Sequence, residues 1–313
     1  MACKSTVGMD RTEWLLERTK GIGGSDAAAI CGLDPFRTAI QVWMEKTGQT
    51  ETFDLSENES VYWGTRLEDI VADEFAKRTG MWVQRRNALL VHPDHSFMIG
   101  NVDRIVRPSR SEGQWGVLDC KTTSEYRRDD WTEDTVPENY VIQLQHYMAV
   151  LGFQYGYLAV LIGGNKFRYF RVERDEELIQ NLIRIEQEFW EEHVVKGVPP
   201  AWDGSPASTE TLNKLFPGGM VESIELPAGA DELITQYESA SQLLKHAEYQ
   251  KDEAANKLKA LLGDYELGFY GKRRISWKTI AKKGFDSKEF RKDYPDLYEQ
   301  YQHDISYRRF NIK

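Results

Sequence analysis

The chain has 313 residues, 41% hydrophobic and 29% charged, with a formal net charge of −10; this is the composition of an ordinary soluble protein, long enough for one sizeable domain plus an appendage or for two domains, and its acidity argues against a general nucleic-acid-coating protein. No apolar run approaches a membrane span, the first residues lack the apolar core of a signal peptide, and three distant cysteines (Cys3, Cys31 and Cys120) form no metal-ligand pair and suit a reducing compartment. A cytoplasmic protein is expected.

In chain order, residues 10–19 read as a short amphipathic helix with Trp14 and Leu15 inward. The stretch Lys20-Gly21-Ile22-Gly23-Gly24 ends it, and Ser25-Asp26 falls at the expected N-cap of an alanine-rich helix. A glycine-rich turn entering a helix leaves backbone N–H groups for an anion, over which Arg18 and Lys20 could close. A tight helix-turn-helix connection capped by Ser25 accounts for the same residues. A helix is expected over 35–48, a polar loop over 50–60, and a longer helix over 60–79 with Val61, Leu67, Ile70, Val71 and Phe75 on its inner face. Glu68 on that helix reads, by itself, as one of several surface acids.

The period then changes to that of strands. Residues 81–91, 97–106 and 115–121 predict a three-stranded hairpin or meander, with His92 and His95 in a solvated turn rather than at a metal. An amphipathic helix over 140–151 carries Gln143 and Gln145, a hairpin over 156–162 and 166–172 turns at Gly163-Gly164-Asn165, and a helix covers 176–194. The sum is an α/β fold with a mixed central sheet flanked by helices.

The chemistry concentrates in Gly116-Val117-Leu118-Asp119-Cys120-Lys121 and in Asp103, sixteen residues before Asp119. Residues i and i+2 of a strand share a face, so Asp119 and Lys121 emerge together, and a neighbouring strand could bring Asp103 beside them. An acid and a base two apart also suit a solvated edge strand. Val117, Leu118 and Cys120 suggest instead a half-buried strand, where charges cost free energy unless they serve a site. Two carboxylates and an ammonium can assemble a divalent cation, a phosphate and an attacking water, the parts of metal-assisted phosphodiester hydrolysis.

Taken in order, GIGGSDAAAICG, WGTRLEDIVADEF, GNVDRIV, LDCKTT and Gln143-Leu144-Gln145-His146-Tyr147 resemble the YqaJ viral recombinase family, phage alkaline exonucleases similar to lambda exonuclease within the PD-(D/E)xK nuclease superfamily; the resemblance spans roughly residues 10–195. It implies a PD-(D/E)xK core in which Glu68, Asp103, Asp119 and the Cys120 carbonyl hold Mg²⁺, with Mn²⁺ able to substitute. Lys121 would position the attacking water, Gln143 would contact the scissile phosphate, and Arg18 and Ser25, with Lys20 nearby, would receive a 5′-phosphate. It further implies 5′-to-3′ degradation of one strand of linear double-stranded DNA, a 3′ overhang passed to a RecT- or Bet-like single-strand annealing protein, a homo-oligomer in the form of a ring trimer, and a phage or prophage protein in a bacterial host. The sequence departs in having Asn101-Val102 rather than proline before Asp103, and Asp rather than Glu at 119, one methylene shorter. A PD-(D/E)xK endonuclease and a non-catalytic DNA-binding scaffold are the alternatives. The intact set Glu68, Asp103, Asp119 and Lys121 speaks against the scaffold.

The nuclease domain is expected over 1–198, a linker over 199–228, and a C-terminal extension over 229–313. Positions 233, 237, 240, 244, 247, 251, 254, 258 and 261 form a heptad stripe broken by Lys251, suited to a subunit seam, to a long helix folded on its own domain, or to a helical hairpin. A small basic α+β tail follows. Its residues 271–313 hold twelve Lys or Arg against six Asp or Glu, a charge of +6 against −16 for the rest. Packing is expected for most of its aromatics and a DNA role for some of its basic residues.

Overall fold

The computed structural model describes residues 3–50, 59–132, 135–220, 222–304 and 307–312, and divides the chain into two compact units, Met1–Leu215 and Phe216–Lys313. Most of the loop expected over 50–60 lies outside the described residues.

The first unit is built on a five-stranded mixed sheet. Its strands are β2 (Trp82–Arg85), β5 (Arg104–Arg107), β6 (Gly116–Thr123), β7 (Tyr155–Ile162) and β8 (Lys166–Glu173), in the order β2-β5-β6-β7-β8. Only β6 and β7 run parallel, with Asp119 beside Leu158 and Lys121 beside Val160. Their crossover is α5 (Glu138–Leu151), which ends at Gly152 with φ 69°, a left-handed value that favours glycine. The expected hairpin is β7–β8, turning at Gly163 and Gly164, both at positive φ. A second, three-stranded sheet holds β1 (Cys3–Ser5), β3 (Ala88–Val91) and β4 (Ile99–Gly100).

Two expected strands are therefore each broken in two. The run 81–91 divides at Arg86-Asn87 and the run 97–106 at Asn101-Val102-Asp103, the halves joining different sheets. Alternation of apolar residues survives such a bend, which is why periodicity alone did not show it.

Alternation along β6 and β7 sorts the core onto two faces. Val117, Leu158, Val160 and Ile162 pack with Leu144 and Met148 of α5 and with Ile179 and Ile183 of α6 (Glu176–Glu188). Leu118 and Ala159 point the other way, to Val71, Ala72 and Phe75 of α4 (Glu59–Thr79). Val61 and Ile70, expected inward, are exposed; the buried face of α4 is Val71, Ala72 and Phe75. The helix expected over 176–194 continues past α6 as a π-helical turn, Phe189–Val195.

Three short helices cover one end of this core: α1 (Arg11–Arg18), α2 (Gly24–Ile30) and α3 (Ala39–Lys46). Helix α2 begins earlier than expected, capped at Gly23, with Asp26 reaching back to the Gly23 N–H at 2.9 Å. Helix α3 starts at Ala39 rather than Pro35, where Thr38 and Gln41 form a capping box. The stretch 199–228, expected as linker, contains α7 (Pro206–Leu215), with Ala207, Ser208 and Thr211 buried.

Gly156 on β7 faces α5, and a Cβ there would lie 2.9 Å from three atoms of the Leu144 side chain. Gly156→Ala is expected to destabilise the first unit by about 1–3 kcal/mol through overpacking. A lowered Tm in a thermal melt would show it, and an unchanged Tm would place slack between β7 and α5.

The second unit contains one uninterrupted helix, α8 (Ala230–Leu262), so the hairpin alternative for the heptad stripe is not what forms. Leu233, Leu244, Leu258 and Leu261 on that stripe are exposed. The hairpin of β9 (Leu267–Tyr270) and β10 (Arg273–Ser276), then α9 (Ser287–Asp293) and α10 (Pro295–Gln300), complete the expected small α+β tail. Its aromatics are less packed than expected: Phe285, Phe290 and Tyr294 touch one another, while Trp277, Tyr301 and Tyr307 are exposed. Among the described residues no helix is long and apolar enough to cross a membrane.

Candidate active site

The parity of β6 places Asp119 and Lys121 on the face that carries α5, with Cys120 on the other. Asp119 is almost wholly buried, and its Oδ2 lies 2.8 Å from Lys121 Nζ. Lys121 donates to Gln143 Oε1 at 2.9 Å, and Gln143 Nε2 donates to the Tyr147 hydroxyl at 3.1 Å. Gln143 and Tyr147 are one helical turn apart on α5 and so face the strand together. The Lys121 ammonium also sits over the Tyr140 ring, 4.7 Å from its centre.

Asp103 reaches this cluster from the bend between β4 and β5. Its Oδ2 accepts the Cys120 N–H at 2.9 Å, which fixes it across β6 from Asp119. The bend is held from behind by His146, whose Nε2 donates to the Ile99 carbonyl at 2.9 Å while Nδ1 meets Glu186 at 2.8 Å, both side chains fully buried. Sequence reading quoted His146 only as part of a motif and gave it no role. Its place on the buried face of α5 was the available signal.

The electrostatics are those of crowded acids. Burial, then the charges of Asp119 and Glu68, push the Asp103 carboxyl up to about 7. Burial works against the Lys121 ammonium, yet Asp119 and Asp103 outweigh it and hold its pKa above the ordinary lysine value. Tyr147 is pushed up to about 12 by burial and by the same two acids. Burial and the neighbouring carboxylates also raise the Cys120 thiol well above its usual range, so it is not a thiolate nucleophile.

Glu68 comes to the site from α4. It lines the same cavity, but its Oε1 accepts from Arg104 Nη1 at 2.5 Å. Arg104 is buried and also pairs with Asp69. Sequence reading missed Arg104; an arginine inside the apolar run Ile105-Val106 that follows Asp103 was the signal. Among the described residues no three His, Cys, Asp or Glu side chains are grouped so as to hold a metal ion together. Glu68 nevertheless shares the cavity with Asp103, and its charge is among those that raise the Asp103 carboxyl. Asp103 and Asp119 suit a hard cation: both acids are crowded together, Asp119 Oδ2 is buried against the Lys121 ammonium, burial and neighbouring acids raise Asp103, and two carboxylates are an ordinary protein share of a Mg²⁺ shell.

Arg18 and Ser25 face the acids across one cavity of about 470 Å³, lined also by Gly23, Gly24, Asp103, Gln143 and Tyr147. Arg18 Nη2 donates to Ser25 Oγ at 3.1 Å, and the guanidinium lies over the Trp14 ring, 4.7 Å from its centre. Its backbone is tied down as well: Lys46 Nζ donates to the Arg18 carbonyl at 2.8 Å and pairs with the buried Asp26 at 2.6 Å. Asp26 also pairs with Arg37, so the Gly23 N–H that the sequence offered to an anion is held by an internal carboxylate. Lys20 does not line the cavity; it is exposed and paired with Glu17. Gly24 is where α2 crosses α5, and a Cβ there would come within 2.7 Å of the Tyr147 ring. His92 and His95 form a turn in which His92 Nδ1 accepts the N–H groups of Asp94 and His95.

Residues 13–154 match the family described as the YqaJ-like viral recombinase domain. The chain is 42% identical over 308 residues to the uncharacterised protein YqaJ of Bacillus subtilis (strain 168), covering 97% of this chain and 95% of that one. Among solved structures it is similar to an alkaline exonuclease, LHK-Exo, from Laribacter hongkongensis, at 18% identity and a TM-score of 0.48, covering 65% of this chain and 99% of that one. A phage related exonuclease from Haemophilus somnus 129PT matches at 14% identity and a TM-score of 0.40, over 56% of this chain and 96% of that one. With nearly its whole length shared at that level with YqaJ, the chain belongs to the YqaJ-like viral recombinase family.

Proposed function

We propose that the protein is a Mg²⁺-dependent exonuclease that degrades one strand of linear double-stranded DNA from its 5′ end, with Mn²⁺ able to substitute. The observation that carries this reading is one cavity lined by Glu68, Asp103 and Gln143 together with Arg18 and Ser25. Acids suited to a metal and a cationic, hydroxyl-bearing anion site share it.

Asp103, Asp119 and Glu68 would hold the cation, with the Cys120 carbonyl a further candidate ligand; for this Glu68 would share its carboxylate with Arg104. A bound cation supplies charge to polarise the phosphoryl oxygen and to activate a water. Lys121 is kept protonated beside Asp119, so it orients that water and stabilises developing negative charge rather than removing a proton. Gln143 is held by Lys121 and Tyr147 with its amide facing the cavity, in position to contact the scissile phosphate. Arg18 and Ser25 would receive a terminal 5′-phosphate. Lys20, exposed and paired with Glu17, would reach the DNA backbone only by leaving that pair.

The same reading extends to a 3′ overhang handed to a single-strand annealing protein of the RecT or Bet type, to a ring-forming homo-oligomer, and to action in the bacterial cytoplasm during phage-type recombination. It places the nuclease in the first unit, extended by α7 beyond residue 198.

Linear duplex DNA labelled at either end, with a covalently closed circle as control and Mg²⁺ present or chelated, tests the reading directly. Mg²⁺-dependent loss from 5′-phosphorylated ends with the circle intact is expected. Cutting of the circle would make the protein an endonuclease, and no cleavage with either metal would leave a binding protein. In the same assay Arg18→Ala should lower the preference for 5′-phosphate over 5′-hydroxyl ends by roughly tenfold, the worth of a hydrogen bond to a charged group. An unchanged preference removes Arg18 from end recognition.

A further inference from the structure

Six of the twelve residues from 272 to 283 are Lys or Arg and none is acidic. They begin at the tip of the β9–β10 hairpin, where Gly271 at φ 58° and Lys272 form the two-residue loop between Tyr270 and Arg273. All six, Lys272, Arg273, Arg274, Lys278, Lys282 and Lys283, are exposed. Elsewhere in this unit Lys257 pairs with Glu253 and Lys292 with Glu289. Among the described residues none of the six has a carboxylate at ion-pair distance. The flanking acids are engaged with backbone: Glu266 accepts the Thr279 N–H at 2.9 Å, and Asp286 accepts the Lys288 and Glu289 N–H groups at the start of α9.

The aromatic residues of the hairpin are set among these cations. Phe269 stands opposite Arg274 and Tyr270 opposite Arg273, and because neighbouring residues of a strand face opposite ways, each face of the ribbon presents one ring beside one guanidinium. Phe269 is 70% exposed and Tyr270 82%, so neither ring is part of a core. The ribbon is nonetheless anchored. Gly268 lies against Leu262, with room for no Cβ (2.7 Å), and the Trp277 N–H donates to the Glu266 carbonyl at 2.9 Å.

We propose that the β9–β10 ribbon is a binding site for single-stranded DNA, with Arg273 and Arg274 taking phosphates and Phe269 and Tyr270 stacking on bases. Unpaired cations fit any nucleic acid, but exposed ring faces find a partner only where bases are unstacked and accessible, which a duplex does not offer. The choice of DNA rests on the nuclease reading, whose product is a single strand.

The test is equilibrium binding of the full-length protein, in chelator so that nothing is cleaved, to a fluorescent thirty-nucleotide oligo-dT and to a duplex of the same length. Phe269→Ala/Tyr270→Ala should weaken oligo-dT binding at least tenfold and change duplex binding less than twofold. Phe269→Tyr/Tyr270→Phe, which keeps both rings, should bind as wild type. Arg273→Gln/Arg274→Gln should weaken binding and flatten its salt dependence. Oligo-dT affinity within twofold of wild type in the alanine pair, or equal loss on duplex, overturns the proposal. Because the readout is independent of cleavage, an inactive protein that still binds oligo-dT through these rings would sink the nuclease reading and leave this one standing.

Discussion

Asp119→Asn is expected to abolish cleavage of linear duplex DNA, by roughly 10³-fold or more, while binding to the duplex survives. The carboxylate is buried, and its Oδ2 sits 2.8 Å from the one lysine of the cluster. An amide of the same shape removes the negative charge that would attract a cation, which is worth several kcal/mol of transition-state stabilisation in metal-assisted hydrolysis. It removes almost no volume, so the packing between β6 and α5 should persist. Single-turnover cleavage at saturating Mg²⁺ and Mn²⁺, beside an anisotropy measurement of duplex binding, separates the two effects. Cleavage within tenfold of wild type would remove Asp119 from catalysis.

Asp103→Asn should also stop cleavage, yet raise the stability of the protein in chelator. The Asp103 carboxyl is lifted from 3.8 to about 7 by burial and by the charges of Asp119 and Glu68. A carboxyl with a raised folded-state pKa holds its proton more tightly when folded. Its contribution is therefore fully present below pH 3.8 and is lost as the pH rises to about 7, after which it stays lost. Asp103 is half-buried, and solvent screens part of the effect. The remaining penalty at pH 8 is on the order of 2 kcal/mol. Asparagine can still accept the Cys120 N–H, so the variant should escape the penalty without losing that hydrogen bond. Denaturant melts in chelator from pH 5 to 8 should show wild type weakening across the window and the variant not. Added Mg²⁺ should restore wild type alone. Parallel pH profiles would show that the two acids do not burden the fold.

The class of the fold was legible because its central strands are marked at every position. Val117, Leu118, Leu158 and Val160 alternate onto two helical layers, and an acid and a lysine interrupt one of the two stripes. The pairing of Asp119 with Lys121 followed from that period, and the nearness of Asp103 from an adjacent strand. The bend at Asn101-Val102-Asp103 was not legible, since a strand that changes sheets keeps its alternation of apolar residues. The capture of Glu68 by Arg104 was hidden for a related reason: thirty-six residues separate them, and only the pairing of β2 with β5 and the packing of α4 bring the two together. Nearness in sequence to Arg18 did not show that Lys20 pairs with Glu17 outside the cavity, because side chains diverge at a helix end.

Beneath Arg18 lies a separate foundation. Lys46 grips the Arg18 backbone, Asp26 grips Lys46 and Arg37, and none of these three makes a hydrogen bond or ion pair to Asp103, Asp119 or Lys121 among the described residues. Yet α2, which carries Ser25 and Asp26, also packs on α5 where Gly24 meets Tyr147 and Gln143, so the two proposed sites share one helix crossing. A change that shifts α2 to alter which termini are accepted is expected to move Gln143 as well, and the two traits would be inherited together.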